Sequence, residues 1–403
     1  MIQGLTTAAA GLDANERLEQ LLSNNLANEE TPGFKSSFAE FLEDPVDTMY
    51  KQPYGSGLGT AIGQTGNGVV FQEGVPSFAP GAMQQTGRSL DISITDTTPS
   101  GPLASVQGAN NAPITVAGPI SPGIGNRLGV NGQPLAVYGS NGQAVAGMYA
   151  VRNPAYQGST WVGSDGLPDY DASGNPSYLI ENAQGQVVYT PGTTTTQPYA
   201  LRVGTSDDMG DHSFYAVNYV DSQGQKGIAL TKDGALQLDA NNNLTDAAGH
   251  EIIPIGPNGQ PIVGGRIQVN PNYTGSSIVS ATGQPITDAN GQPSFRVYDA
   301  NGNLVNGGRL GTVDADVTQL QPLGETEFMV GNSYSTAAVL PQLKTGTGQL
   351  NPGELEQSNV DPTSTMTQMM SAMNMYEANQ RMVQTEDTVL NEAVNDVGKV
   401  NNA

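Results

Sequence analysis

The side chains capable of chemistry are few in this chain. Histidine occurs twice, at His212 and His250, and cysteine is absent. That removes thiolate nucleophiles, thiolate metal sites and disulfides together. Nothing in the sequence sets a nucleophile and its base at a familiar spacing, so no enzymatic activity is expected. Asp239, Asn241 and Asn243 begin like a calcium loop. The sixth position is Leu244 where glycine is needed, and the twelfth is His250 where a bidentate glutamate is needed. Asp299, Asn301 and Asn303 fail in the same way, at Leu304 and Leu310. Both stretches read as hairpin turns. The run Tyr54-Gly55-Ser56-Gly57-Leu58-Gly59-Thr60, with Gly63, Gly66 and Gly68 after it, lacks the Gly-Lys-Ser/Thr ending of a phosphate loop. No cofactor, metal or small-molecule substrate is expected.

Composition restricts the partners. The chain has 403 residues and a net charge of −23, which disfavours nucleic acid and anionic membranes. No apolar run approaches the ~20 residues that span a bilayer. The first residues lack a basic region followed by an apolar core, so a cleaved signal peptide is not expected. Glycine (51) and proline (26) are abundant, while charged residues are only 13%. That balance predicts many short strands around several small cores.

Two helices frame this β-like middle. Leu5, Ala8, Leu12, Asn15, Leu18, Leu22 and Leu26 fall three or four apart, an amphipathic stripe that ends where Pro32 and Gly33 stop the helix. At the other end, Asp361-Pro362 is a helix start: Asp accepts from free N–H groups of the first turn, and Pro suits the first position. Beyond it Met369, Tyr376, Val383, Leu390 and Val397 recur every seven residues. A second row, Met366, Met373, Gln380, Asp387 and Val394, is apolar at its ends and polar in its middle. Such a seam needs a partner helix. The N-terminal helix is the expected partner, the alternative being that each helix packs on a domain of its own.

The motifs around these helices carry a resemblance. Met1-Ile2-Gln3-Gly4-Leu5, then Leu22-Ser23-Asn24-Asn25-Leu26-Ala27-Asn28, then Thr31-Pro32-Gly33-Phe34-Lys35, resembles the opening of bacterial flagellar basal-body rod and hook proteins. Further matches follow in the family's order. They are Gln84-Gln85-Thr86-Gly87-Arg88-Ser89-Leu90-Asp91, Thr231-Lys232-Asp233-Gly234-Ala235-Leu236, and Leu355-Glu356-Gln357-Ser358-Asn359-Val360-Asp361. One departure stands out. In the family Leu-Asp-x-x-Ile runs almost directly into two aromatics, whereas here Leu90 to Ile94 is separated by about a hundred residues from Ser213-Phe214-Tyr215. An insertion carrying the sole tryptophan, Trp161, is expected between two strands of the shared domain.

The expected fold is mainly β with long terminal α-helices that pair as a coiled coil, an antiparallel middle, and an inserted β-rich or loosely structured module. The divisions read as an assembly helix over 1–30, a Gly-rich extended arm over 31–80, a shared β domain over 81–95 and 213–350, the insert over 96–212, and a C-terminal assembly helix over 351–403. The resemblance implies a structural subunit of the flagellar rod, with the hook protein as alternative. Its implied partners are other copies, adjacent rod or hook subunits and the flagellar export apparatus; its implied place is the basal body or hook. Phe38-Ala39-Glu40-Phe41-Leu42 has the form of the family's short export signal. A more distant alternative is an acidic secreted adhesin or surface-layer protein.

Overall fold

The computed structural model describes residues 2–43, 47–51, 60–66, 68–74, 76–96, 103–139, 143–163, 166–191, 199–204, 209–324 and 326–400. The chain forms two compact units, one of Met1–Ser77 with Gln357–Ala403 and one of Phe78–Glu356.

The first unit holds both long helices, Ile2–Ala27 and Pro362–Val400. The second helix starts where sequence places it. The backbone N–H groups of Thr363 and Ser364 donate to Asp361 Oδ1 at 3.0 and 3.3 Å, so Asp361 caps orphan donors of the first turn and Pro362 occupies the position where its missing N–H costs least. Between the helices the chain runs out and back. Ala39–Glu43 pairs antiparallel with Val69–Glu73, and Asp47–Lys51 with Thr60–Thr65. The segment expected as an extended arm is therefore a two-tier hairpin over its described part, while residues 52–59 lie outside the described residues. Leu18 and Leu22 share a small core with Ala372, edged by Leu21, Ala39, Phe71 and Met369.

Among its described residues the second unit is built of strands and turns apart from single helical turns. Its backbone is the ten-residue strand Asp211–Val220. This strand pairs with Lys226–Thr231, Glu251–Ile252 and Val313–Asp316, and Lys226–Thr231 pairs onward with Glu327–Val330. Alternation decides which core each residue enters. Tyr215 and Val217 join one cluster with Ile92, Leu236, Ile267, Phe295 and Leu310. Phe214 and Ala216 join another with Phe78, Ile228, Leu230, Phe328 and Val339. With a core on each face, the strand reads as a continuous buried run from His212 to Val217, not as an in–out alternation. A four-stranded sheet, Gln349–Pro352, Ile92–Thr95, Glu354–Glu356 and Met83–Gln85, completes the unit; its pairings are antiparallel save one parallel bridge between Glu354 and Ile92.

A third cluster is drawn wholly from residues between Ala104 and Leu201, among them Leu128, Val130, Leu135, Val137, Tyr178 and Ile180. Trp161 packs at its edge, 6.0 Å from Tyr156 and 4.9 Å beneath the Arg152 guanidinium. The chain leaves at Ile92–Thr95 and returns at Asp211. Asp96 ties these two points together, accepting from the Ser213 backbone at 2.9 Å and from His212 Nδ1 at 2.7 Å, and pairing with Lys232. Tyr215 Oη donates to the Ile92 carbonyl at 3.0 Å beside them.

One turn recurs through this unit. At Asp171, Asp221, Asp239, Asp288 and Asp299, Oδ1 accepts the backbone N–H groups two and four residues on, at 2.7–2.9 Å. The residue three positions on adopts positive φ, as at Gly302 (83°) and Asn242 (63°), where glycine or asparagine is least strained. The calcium-like spacings at Asp239 and Asp299 are instances of this turn, with their carboxylates bonded to their own backbone.

Candidate assembly site

The N-terminal helix ends in a set of amides that bind backbone. Asn25 faces Ser37, donating from Nδ2 to its carbonyl at 2.9 Å and accepting its N–H on Oδ1 at 3.0 Å. Asn28 Nδ2 donates to the Asn24 carbonyl at 3.0 Å, and Thr31 Oγ1 donates to Asn28 Oδ1 at 3.1 Å. These amides tie the end of the helix to the chain that follows it, Asn25 by pairing with the Ser37 backbone and Asn28 by bonding both the Asn24 carbonyl and Thr31. Gly33, at φ 69°, turns the chain, and Phe34 and Lys35 follow as buried residues.

Asn359 repeats this chemistry from the far end of the sequence. Its Oδ1 accepts the Ser36 N–H at 2.8 Å, and its Nδ2 donates to the Ser77 carbonyl at 2.8 Å. The Ser77 N–H in turn donates to the Ser36 carbonyl at 2.9 Å. One asparagine thus joins three strands of chain just before the second helix begins. Ser358 Oγ accepts the Val360 N–H at 3.3 Å. Ser23, Asn24 and Ala27 are exposed, and Thr31, Pro32 and Val360 are half-buried.

Beyond this clasp the two helices run antiparallel. A Cβ on Gly4 would meet Glu386 Oε1 at 2.8 Å, and one on Gly11 would meet Asn379 Nδ2 at 2.6 Å. Leu18 and Leu22 reach Ala372. Each step of seven along one helix is a step of seven back along the other. Ala8, Leu18 and Leu22 are buried in the first helix, while Leu5, Leu12 and Leu26 are half-buried.

On the second helix the row facing inward is Met369, Tyr376, Val383 and Leu390, all half-buried; the side chain of Val397 lies outside the described residues. The companion row is Thr365, Ala372, Asn379, Glu386 and Ala393, each buried or half-buried. Met366, Met373 and Val394, from the row that apolarity alone selects, are 50%, 50% and 70% exposed. Close approach explains the difference. Gly4 and Gly11 leave no side chain opposite Glu386 and Asn379, so small and polar residues fit the seam where methionines would be crowded out. The seven-residue spacing of Gly4 and Gly11 was the available signal. The outer surface keeps two apolar lines in consequence, Met366-Met370-Met373 on one flank and Met375-Met382-Val389 on the other, all exposed.

The chain is similar to known proteins. Residues 351–396 match the family described as "Flagellar basal body rod FlgEFG protein C-terminal". The flagellar basal-body rod protein FlgG of Buchnera aphidicola (subsp. Schizaphis graminum) is 31% identical over 242 residues, covering 53% of this chain and 83% of that protein. The flagellar hook-basal body complex protein FlhO of Bacillus subtilis is 25% identical over 415 residues, 99% of this chain and 100% of the relative. The hook protein FlgE of Escherichia coli is 24% identical over 453 residues, 98% of each chain. The chain belongs to the family of bacterial flagellar basal-body rod and hook proteins. It is a structural subunit of the flagellar axial assembly. The names of these relatives give the adhesin and surface-layer reading no support. Among the described residues no helix is long and apolar enough to cross a membrane.

Proposed function

We infer that this chain is a rod subunit whose terminal helices pair as an antiparallel coiled coil and pack on those of neighbouring copies and adjacent axial subunits. The product is a helical tube that transmits torque, with the β unit forming the subunit's body. The observation that carries this reading is the second helix, which meets the first along one stripe and leaves methionine-rich lines exposed on both flanks. Contacts that repeat from copy to copy without closing a ring produce open filaments. Apolar flanks of this kind are what such contacts bury, and methionine adapts to non-identical neighbours. Rod identity is supported by the 31% identity to a rod protein.

Hook subunit is the second reading, favoured by the alignment with a hook protein over 98% of both chains. Immunogold labelling of isolated hook–basal bodies separates the two. Label on the envelope-spanning rod supports the first reading; label along the external hook replaces it with the second.

Export by the flagellar apparatus fits the same reading. A long helix with one covered stripe is only marginally stable alone, and loosely held termini suit threading through a narrow channel. Phe38 and Phe41 are 49% and 45% exposed, as an export signal read by another protein requires; the side chain of Leu42 lies outside the described residues. Deletion of residues 359–403 should leave a secreted or cytosolic β-rich chain that no longer enters hook–basal bodies. Normal incorporation of that truncation would overturn the assembly role of the helix.

A further inference from the structure

The β unit holds a group of side chains that assembly does not use. Asp246, His250 and Glu327 bring a carboxylate oxygen, an imidazole nitrogen and a second carboxylate oxygen within 4.8 Å of one another. Asp246 and Glu327 are 3% and 7% exposed. His250 Nδ1 lies 2.5 Å from Glu327 Oε1 and 3.5 Å from Asp246 Oδ2. In the tautomer protonated at Nδ1, the ring donates its one N–H to the nearer glutamate. Asp246 Oδ1 accepts the His250 backbone N–H at 2.7 Å, while Oδ2 is fully buried with no hydrogen-bond partner among the described residues. A buried carboxylate oxygen aimed at another carboxylate without a donor is a costly arrangement.

The local sequence sharpens the point. Asp246 to His250 shares with the recurring turn its bond from the N–H four residues on and its positive φ at the residue before, Gly249 at 92°. Its fifth residue is Asn or Gln in the comparable turns at Asn175, Gln225, Asn243, Gln292 and Asn303. Here it is histidine, placed where Glu327 opens the strand Glu327–Val330.

We propose that Asp246 Oδ2, His250 Nδ1 and Glu327 Oε1 form a binding site for a borderline divalent transition cation, with zinc the best match, which fastens the Asp246–His250 turn to the neighbouring strand. One imidazole and two carboxylates suit zinc better than magnesium or calcium, which favour all-oxygen shells. Zinc with bonds of about 2.0–2.2 Å holds its ligands roughly 3.4 Å apart. The 3.5 Å pair already has that separation, and the 2.5 Å pair opens to it when the proton between its atoms leaves. Two facing buried carboxylates then share a cation instead of repelling.

The experiment uses the full-length chain, stripped with chelator, then followed by calorimetry as zinc chloride or magnesium chloride is added at fixed ionic strength. One zinc per chain is expected, with Tm rising roughly 5 °C or more at a hundredfold excess over Kd. Asp246→Asn and His250→Gln should each abolish the response. His250→Gln restores the residue other turns use, and Asp246→Asn keeps the Oδ1 contact while removing the unpaired charge. The stripped Asp246→Asn protein should therefore melt at or above the wild type, the opposite of what loss of a merely structural contact gives. No rise with zinc, an equal rise with magnesium, or a rise that survives both substitutions would overturn the site, the last two marking diffuse binding to a surface of charge −23.

Discussion

Asp96 shows how much one side chain can hold. It receives bonds from the Ser213 backbone and the His212 ring and neutralises Lys232, whose side chain is only 2% exposed. Burial by itself pushes the Asp96 carboxyl up. The His212 hydrogen bond and the Lys232 charge outweigh it and hold the group well below the usual carboxylate range. Because the folded pKa is depressed, the stabilisation is fully present above the unfolded value of about 3.9 and is lost as pH falls through the folded value. Asp96→Asn should cost about 3–5 kcal/mol at neutral pH, since it strands a buried ammonium. It should also flatten the acid limb of the stability curve below about pH 4. Urea titrations of both proteins from pH 2.5 to 7 read this, and an unchanged acid limb would show that Asp96 is not its origin. The turns behave more simply. Hydrogen bonds from their own backbone hold the carboxyls of Asp171, Asp288 and Asp299 below the usual range.

The helices are where individual contacts add up to an element. Leu22 is 3% exposed and sits with Leu18 and Ala372 in the only buried apolar cluster described for the first unit. Leu22→Ala should remove about 2–4 kcal/mol from that cluster, seen as earlier melting of the helical circular dichroism signal with the β transition unmoved. Simultaneous loss of both signals would mean that helices and β unit melt together. Val389→Asp and Met382→Asp act differently, because both residues are exposed. The double variant should keep the helix and the Tm of the monomer yet fail to enter the axial structure, as electron microscopy of complemented cells would show. Full motility of that strain would remove the exposed flank from the assembly surface.

For the molecule as a whole, the division at Ser77/Phe78 and Glu356/Gln357 carries a consequence. The second unit contains three buried clusters, and near its ends the Gly81 N–H donates to Glu356 Oε1 at 2.9 Å. Residues 78–356 made as a separate chain should fold with a β spectrum and cooperative melting, and remain monomeric in sedimentation. Aggregation or a molten spectrum would show that the terminal helices are required for the core.

What the sequence alone determined is whatever local chemistry can specify. The helix start at Asp361-Pro362 and the stop at Pro32-Gly33 are set by donors and dihedrals within a few residues, and both stand where the pattern places them. Asn131-Gly132 turns a hairpin between Val130 and Gln133 for the same reason, both residues at positive φ. The motif residues Asn25, Asn28 and Asn359 marked the flagellar family. The bond that Asn359 makes across 323 positions, to Ser36, is a property only of the folded chain. Tertiary structure alone decided which row of the second helix joins Met369, Tyr376, Val383 and Leu390 in facing inward. Apolarity selected Met366 and Met373, but the space left by Gly4 and Gly11 admits Asn379 and Glu386 and turns the methionines out. It likewise decided that Asp246, His250 and Glu327 meet, since a turn and a strand 77 residues apart become neighbours only when the sheet forms. Periodicity records which residues share a face; what covers that face depends on the shape of the partner.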